Sequence, residues 1–360
     1  MTRLANLAGR AVLVTGEGAV DIETASDHRF AADPQSLYER WPEFLHWARQ
    51  AGPGPRGYLE IDEAELLSPA PFPRQVFGIG LNYRSHATET GMELPERVAT
   101  FTKFPTCITG GFVEIPLPAE TVDFEVELVV VLGARAYGVA DWEAWSHVAG
   151  LTVGQDLSER VLQRAAGMQF CLGKSFPHFG PMGPWLVTPD EITEPDDLGL
   201  SCSINGEVMQ DGRTSDMVLS VPRLIEELSA VVPLLPGDVI FTGTPAGVGW
   251  VRRPPRFLRP GDVLESTIDT LLAAPASDAL AVWFIPTHQG HGGHPVYWRS
   301  NVRRDILDLR SDAPLRSLLP EFGVQVRRVA VDDPGVVTNV DTPEEYRTAL
   351  DEWAARSRGF

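Results

Sequence analysis

Lysine is all but missing from this chain. Of 30 basic side chains only Lys103 and Lys174 are lysines, and the other 28 are arginines. Where any positive charge suffices the chain uses guanidinium. The two ammonium groups therefore mark positions that need a compact cation rather than a planar fork. Cysteine is scarce as well. Cys107, Cys171 and Cys202 are far apart and odd in number, with neither a zinc spacing nor a disulfide framework, which points to a reducing cytoplasm. No apolar run is long enough to span a bilayer, and residues 1–10 lack the charged-then-apolar pattern of a secretory signal. Positive charge is short overall: 49 acidic residues outweigh the basic ones, giving a net charge of −19. Nucleic acids and anionic membranes need basic surface, so neither is an expected partner.

What is present is an ordinary globular composition over 360 residues, too long for one average domain. Residues 1–70 read as a small α+β cap. A strand at 11–14 turns back through Gly16 to Gly18 into a second at 19–22, and one helix is expected over 35–50, opened by Asp33-Pro34. The most informative stretch is 122–133, which reads as one buried strand ended by a glycine. Two carboxylates interrupt it. Glu125 and Glu127 are two residues apart, so on a strand they share a face, with about 7 Å between their Cα atoms. Like charges on a half-buried face repel and lose hydration, and a hard divalent cation would remove both penalties. The competing reading leaves one of them on an edge facing water.

Other residues carry chemistry by position. If 81–91 is helical, His86 and Glu89 meet on one face, and a carboxylate beside an imidazole makes a general base; the plain alternative is an exposed ion pair. Asp156 stands at the end of a strand over 148–155. Asn205-Gly206 is a strong hairpin signal, and Thr242 to Gly249 forms a Gly-rich loop without the Lys-Ser/Thr of a nucleotide cradle.

In order, the chain reads Asn82-Tyr83-x-x-His86-x-x-Glu89, Phe101-x-Lys103, Asp123-Phe124-Glu125-x-Glu127, Asp156-x-Ser158-x-Arg160-x-x-Gln163, Gly173-Lys174-Ser175-Phe176, Gly183-Pro184-Trp185, Pro236-Gly237-Asp238 and Thr242-Gly243-Thr244-Pro245-x-Gly247-Val248-Gly249. Any one is weak, but the eight in sequence resemble the fumarylacetoacetate hydrolase family. The resemblance implies a catalytic domain at 71–268 with a mixed β-roll, a homodimer, bound Mg²⁺ or Mn²⁺ and a small 2-oxo acid substrate. It implies Glu125, Glu127 and Asp156 as metal ligands. Lys174 would be the cation beside the substrate oxygen, Arg160, Gln163 and Thr244 substrate contacts, and His86 with Glu89 the lid dyad that activates water. The expected activity is hydrolysis of a C–C bond in acylpyruvate-like compounds, as in aromatic compound catabolism. Decarboxylation, isomerisation or hydration at the same site are the alternatives, with a dimeric scaffold as a third. One departure is Pro177, where many members have Asp.

Beyond Ile268 the character changes. Gly293-His294-Pro295 and Asn339-x-Asp341-Thr342-Pro343-Glu344-Glu345 resemble the C-terminal half of nucleotidyltransferases that act on molybdenum cofactor, so 269–360 is expected to be an α/β fragment. That family's N-terminal Gly-rich loop is missing, and no transferase activity is expected. Asp341 matches a metal-binding position there. His288, His291 and His294 suggest zinc by spacing, but intervening glycines favour a flexible loop.

Overall fold

The structure is a computed structural model that describes residues 2–15, 18–51, 57–165, 167, 169–268, 283–288, 291–292, 297–298 and 326–330. The chain divides into two compact units, Met1–Ala274 and Pro275–Phe360.

The first unit is built on a twelve-stranded mixed sheet. Its central strand, Val126–Leu132, pairs antiparallel with Val148–Gln155 on one side and Val239–Phe241 on the other; Val76–Gly80 then lies parallel to Val239–Phe241. Every residue of the central strand is buried. Strand side chains alternate between faces, and the two faces feed two cores. Val126, Leu128, Val130 and Leu132 belong to one, Val129 and Val131 to the other. Glu127 has the parity of Val129 and Val131, so it continues the face of the second core at the strand's opening end. A mixed sheet with few helices is the α+β architecture expected.

Arg3–Leu7 is a strand that pairs with Gly180–Val187, so the expected cap over 1–70 shares the main sheet. Two sequence expectations are corrected. The single helix expected over 35–50 is two, Pro34–Tyr38 and Trp41–Ala51. Pro42 explains the break. It has no N–H for a continuing helix, and its ring would strike the carbonyl of Tyr38. The strand expected over 122–133 is also two pieces, Val122–Asp123 and Val126–Leu132, with Glu125 in the gap.

A second, three-stranded antiparallel sheet packs Gly199–Ile204 between Glu207–Arg213 and Leu264–Ile268. Its hairpin turns at Asn205 and Gly206, both with positive φ (52° and 81°), as the dipeptide predicts. In the second unit, Trp283–His288 pairs antiparallel with His291–Gly292 and Tyr297–Trp298 and parallel with Val326–Ala330. His294 and Asp341, and the two motifs that suggested a nucleotidyltransferase, lie outside the described residues.

Candidate active site

Three carboxylates meet where the central strand begins. Glu125 precedes it, Glu127 lies in it, and Asp156 follows its neighbour Val148–Gln155. Antiparallel register sets Val126 opposite Gln155, so the start of one strand lies beside the end of the other. The Asp156 N–H donates to the Glu125 carbonyl at 2.9 Å. Carboxylate oxygens of Glu125, Glu127 and Asp156 all lie within 4.8 Å of one another, and all three residues are buried.

The gap at Glu125 costs ladder hydrogen bonds, and buried backbone groups must find other partners. Two glutamines supply them. Glu125 N–H donates to Gln155 Oε1 (2.8 Å), and Val126 N–H donates to Gln210 Oε1 (2.9 Å). Gln210 Nε2 donates to Thr244 Oγ1 (2.7 Å), whose hydroxyl donates to the Val126 carbonyl (2.9 Å). The Thr244 hydroxyl, expected to touch substrate, also holds loop and strand together.

Both lysines sit here. Lys174 Nζ is 2.7 Å from Glu125 Oε2 and 2.5 Å from Asp156 Oδ2. Lys103, wholly buried, lies 2.6 Å from Asp156 Oδ1 and donates to the carbonyls of Lys174 and Phe179. Lys103 falls in a family motif without an expected role; the scarcity of lysine is the signal for one. Lys174 is held without an Asp at position 177. Arg160 Nη2 is 2.7 Å from both Asp123 Oδ2 and Glu125 Oε1, and its Nη1 donates to Gln163 Oε1 at 3.0 Å.

Four buried carboxylates, Asp123, Glu125, Glu127 and Asp156, thus face three cations, Lys103, Lys174 and Arg160. Glu127 is the one left over. It accepts from Gly243 N–H at 2.8 Å, and among the described residues no cation lies within ion-pair distance of it. Burial, with the charges of Asp156 and Glu125 beside it, pushes its carboxyl well above the usual range. Burial would also raise Glu125, but Lys174, then Arg160 and His86, overrule it and hold that carboxyl low. Lys174 is burdened by burial in the same way, yet Asp156 and Glu125 keep its ammonium charged. The donor set is three converging carboxylates with one negative charge uncompensated and neither His nor Cys among them. Those are the properties a hard divalent cation such as Mg²⁺ or Mn²⁺ requires.

The helix Arg84–Thr90 carries the expected pair. His86 Nδ1 is 2.7 Å from Glu89 Oε1, and Glu89 Oε2 accepts from Gly247 N–H at 2.9 Å. A carboxylate at Nδ1 fixes the proton there and leaves the Nε2 lone pair as the base. The Gly-rich loop therefore serves two site carboxylates, Glu127 through Gly243 and Glu89 through Gly247.

Mixed sheet, buried triad, flanking lysine and His–Glu helix together define an α+β enzyme organised around an acidic metal-type centre. Residues 75–276 match the C-terminal domain of fumarylacetoacetate (FAA) hydrolase, and the chain belongs to that family. It is 40% identical over 263 residues to human oxaloacetate tautomerase FAHD2A, mitochondrial, covering 72% of this chain and 84% of that protein. A crystal structure from Mycobacterium smegmatis named for HpcE is 53% identical with a TM-score of 0.71, over 74% of this chain and 95% of the other. Maleylpyruvate hydrolase from Sphingobium sp. SYK-6, solved with manganese(II) and pyruvate, is 29% identical with a TM-score of 0.61, over 74% and 95%.

Proposed function

We propose that this chain is a metal-dependent enzyme that enolises a small 2-oxo acid, with tautomerisation or isomerisation as the outcome. The convergence of Glu125, Glu127 and Asp156 beside the Lys174 ammonium carries the reading. Bound at the three carboxylates, Mg²⁺ or Mn²⁺ would polarise the carboxylate and keto oxygens of the substrate. Lys174 stabilises negative charge developing on the keto oxygen. His86 Nε2 takes a proton from the carbon next to the ketone, while Glu89 stabilises the imidazolium. Return of that proton to oxygen, or to another carbon of the conjugated system, completes the transfer. Arg160 and Gln163 position the acid end.

The motif resemblance favours C–C hydrolysis. Similarity to a protein named as an oxaloacetate tautomerase moves proton transfer ahead of it. Hydrolysis of acylpyruvates is the second reading, favoured by the His86–Glu89 pair, which has the geometry to deprotonate water as well. Enol absorbance of oxaloacetate, followed with Mn²⁺ and with EDTA, tests the first: metal-dependent acceleration is expected, and a rate no greater than buffer would end it. Pyruvate release from acylpyruvates under the same conditions tests the second.

The proposal extends to a homodimer, a β-roll form of the main domain and a nucleotidyltransferase-like fragment at 269–360. It extends also to a cytoplasmic location, against which stands the mitochondrial naming of the relative above.

A further inference from the structure

The helix Arg160–Ala165 presents Arg160, Gln163 and Arg164 at spacings of three and four, which puts them on one stripe. Arg160 and Gln163 are buried and Arg164 is exposed, so the stripe runs outward from the triad to solvent. The Arg160 guanidinium lies against Asp123, Glu125 and Gln163, bonded through Nε and Nη1, while its buried Nη2 is 2.7 Å from two carboxylate oxygens without a hydrogen-bond partner. Arg164 is different: among the described residues it has no carboxylate partner. Trp250 holds it, with the guanidinium carbon 4.1 Å from the ring centroid, and Arg160 lies 6.0 Å from the same ring. The Trp250 backbone is anchored at the site, its main-chain N–H donating to Asp123 Oδ2 at 3.1 Å. A guanidinium stacked on an aromatic face keeps its in-plane N–H donors available for a carboxylate. In a chain of net charge −19 this arginine stands stacked beside the site, without a carboxylate partner among the described residues.

We infer that Arg164, stacked on Trp250, is a second anion subsite that takes the distal carboxylate of a 2-oxo dicarboxylic acid longer than four carbons. This rests on the proposed function and deepens it. Length follows from position. Arg164 lies one helical turn beyond Arg160, about 5–6 Å between Cβ atoms, and Arg160 already touches the metal-ligand candidate Glu125. A four-carbon diacid with its oxo-acid end at the triad keeps its second carboxylate beside the triad; a longer chain reaches the stripe's outer end.

Calorimetric binding to the full Mn²⁺-loaded chain tests this without turnover. Oxalate probes the triad end alone, and 2-oxoadipate adds the distal carboxylate. Arg164→Gln is expected to weaken 2-oxoadipate by roughly tenfold or more, the worth of a charge-assisted hydrogen-bonded pair, and to leave oxalate unchanged. Arg164→Lys should recover only part, because an ammonium lacks the stacked fork. Unchanged 2-oxoadipate affinity in Arg164→Gln would overturn the subsite, and so would an equal loss of both ligands. Failure of oxalate to bind the unsubstituted protein with Mn²⁺ would instead overturn the 2-oxo acid reading, and the subsite with it.

Discussion

Glu127 shows how a single side chain announces a site by breaking a stability rule. It is buried with one hydrogen-bond donor and, among the described residues, no cation in ion-pair distance, in a strand otherwise made of apolar residues. An unpaired buried carboxylate is costly unless something absent from the apo-protein compensates it. Glu127→Gln should therefore raise the stability of the metal-free protein, because an amide has no charge to bury beside Asp156 and Glu125, while weakening Mn²⁺ and removing metal-dependent turnover. Chemical denaturation with EDTA and a Mn²⁺ titration read the two effects separately; a destabilised variant with intact Mn²⁺ affinity would contradict the assignment. His86→Ala separates the dyad from the triad. Mn²⁺ affinity should hold and turnover should fall by about 10²–10⁴-fold, the usual worth of a general base. The triad and both lysines were legible because each violates an expectation, charge in an apolar strand or ammonium in an arginine-using chain. Gln155 and Gln210 were not. An amide in sequence reads as ordinary surface, and only the ladder gap at Glu125 explains why two of them are buried.

At the scale of elements, the loop from Thr242 to Gly249 holds both halves of the site. Gly247 adopts φ +110°, and a Cβ there would run into the backbone carbonyl of Met209. Backbone cannot yield as a flexible side chain can. Gly247→Ala should lower the melting temperature and kcat together, because displacing the loop also withdraws the N–H that holds Glu89. Gly261→Ala is the control: φ is +88° but nothing lies within 4 Å, so only backbone strain, about 1 kcal/mol, is expected. The sequence pattern found most strands but ran together elements whose interruption is a matter of single residues, Pro42 in the helix and the Glu125 gap in the strand. A different element supplies a pH signature. Asp21 caps the short helix Ile22–Ala25, accepting from Thr24 N–H and from Arg10. Burial alone would raise its carboxyl; Arg10 and Thr24 outweigh burial and hold it at about 2, below the ordinary 3.8. A lowered folded-state value stabilises the protein above pH 3.8 and ceases to do so as pH falls through 2. Urea unfolding should show wild type more stable than Asp21→Asn at pH 5, with the gap closing towards pH 2. A gap that does not change with pH would show that the cap acts without its charge.

For the whole molecule, the question is how much of the chain the site needs. Every residue of the candidate active site lies in the first unit, and its farthest sequence contribution comes from an element with no site residue in it. Leu264–Ile268 is the last strand of the three-stranded sheet. Its Ser266 Oγ accepts from Gln155 Nε2 at 2.8 Å, and the other end of that amide accepts the Glu125 N–H. This strand, inside the family match over 75–276, therefore braces a metal-ligand candidate two hydrogen bonds away. Sequence could place this strand but not its role, because the brace joins residues remote in the chain. The same physics predicts where the protein tolerates cutting. A chain ending at residue 274 retains the brace and should bind Mn²⁺ as the full chain does. A chain ending at 262 loses Leu264–Ile268 and frees Gln155, and Mn²⁺ affinity should fall by roughly 10–100-fold, as when a partner of a metal ligand is removed. Circular dichroism of both fragments guards against gross unfolding. Equal affinity in the two, with both folded, would mean that Glu125 is held without the glutamine.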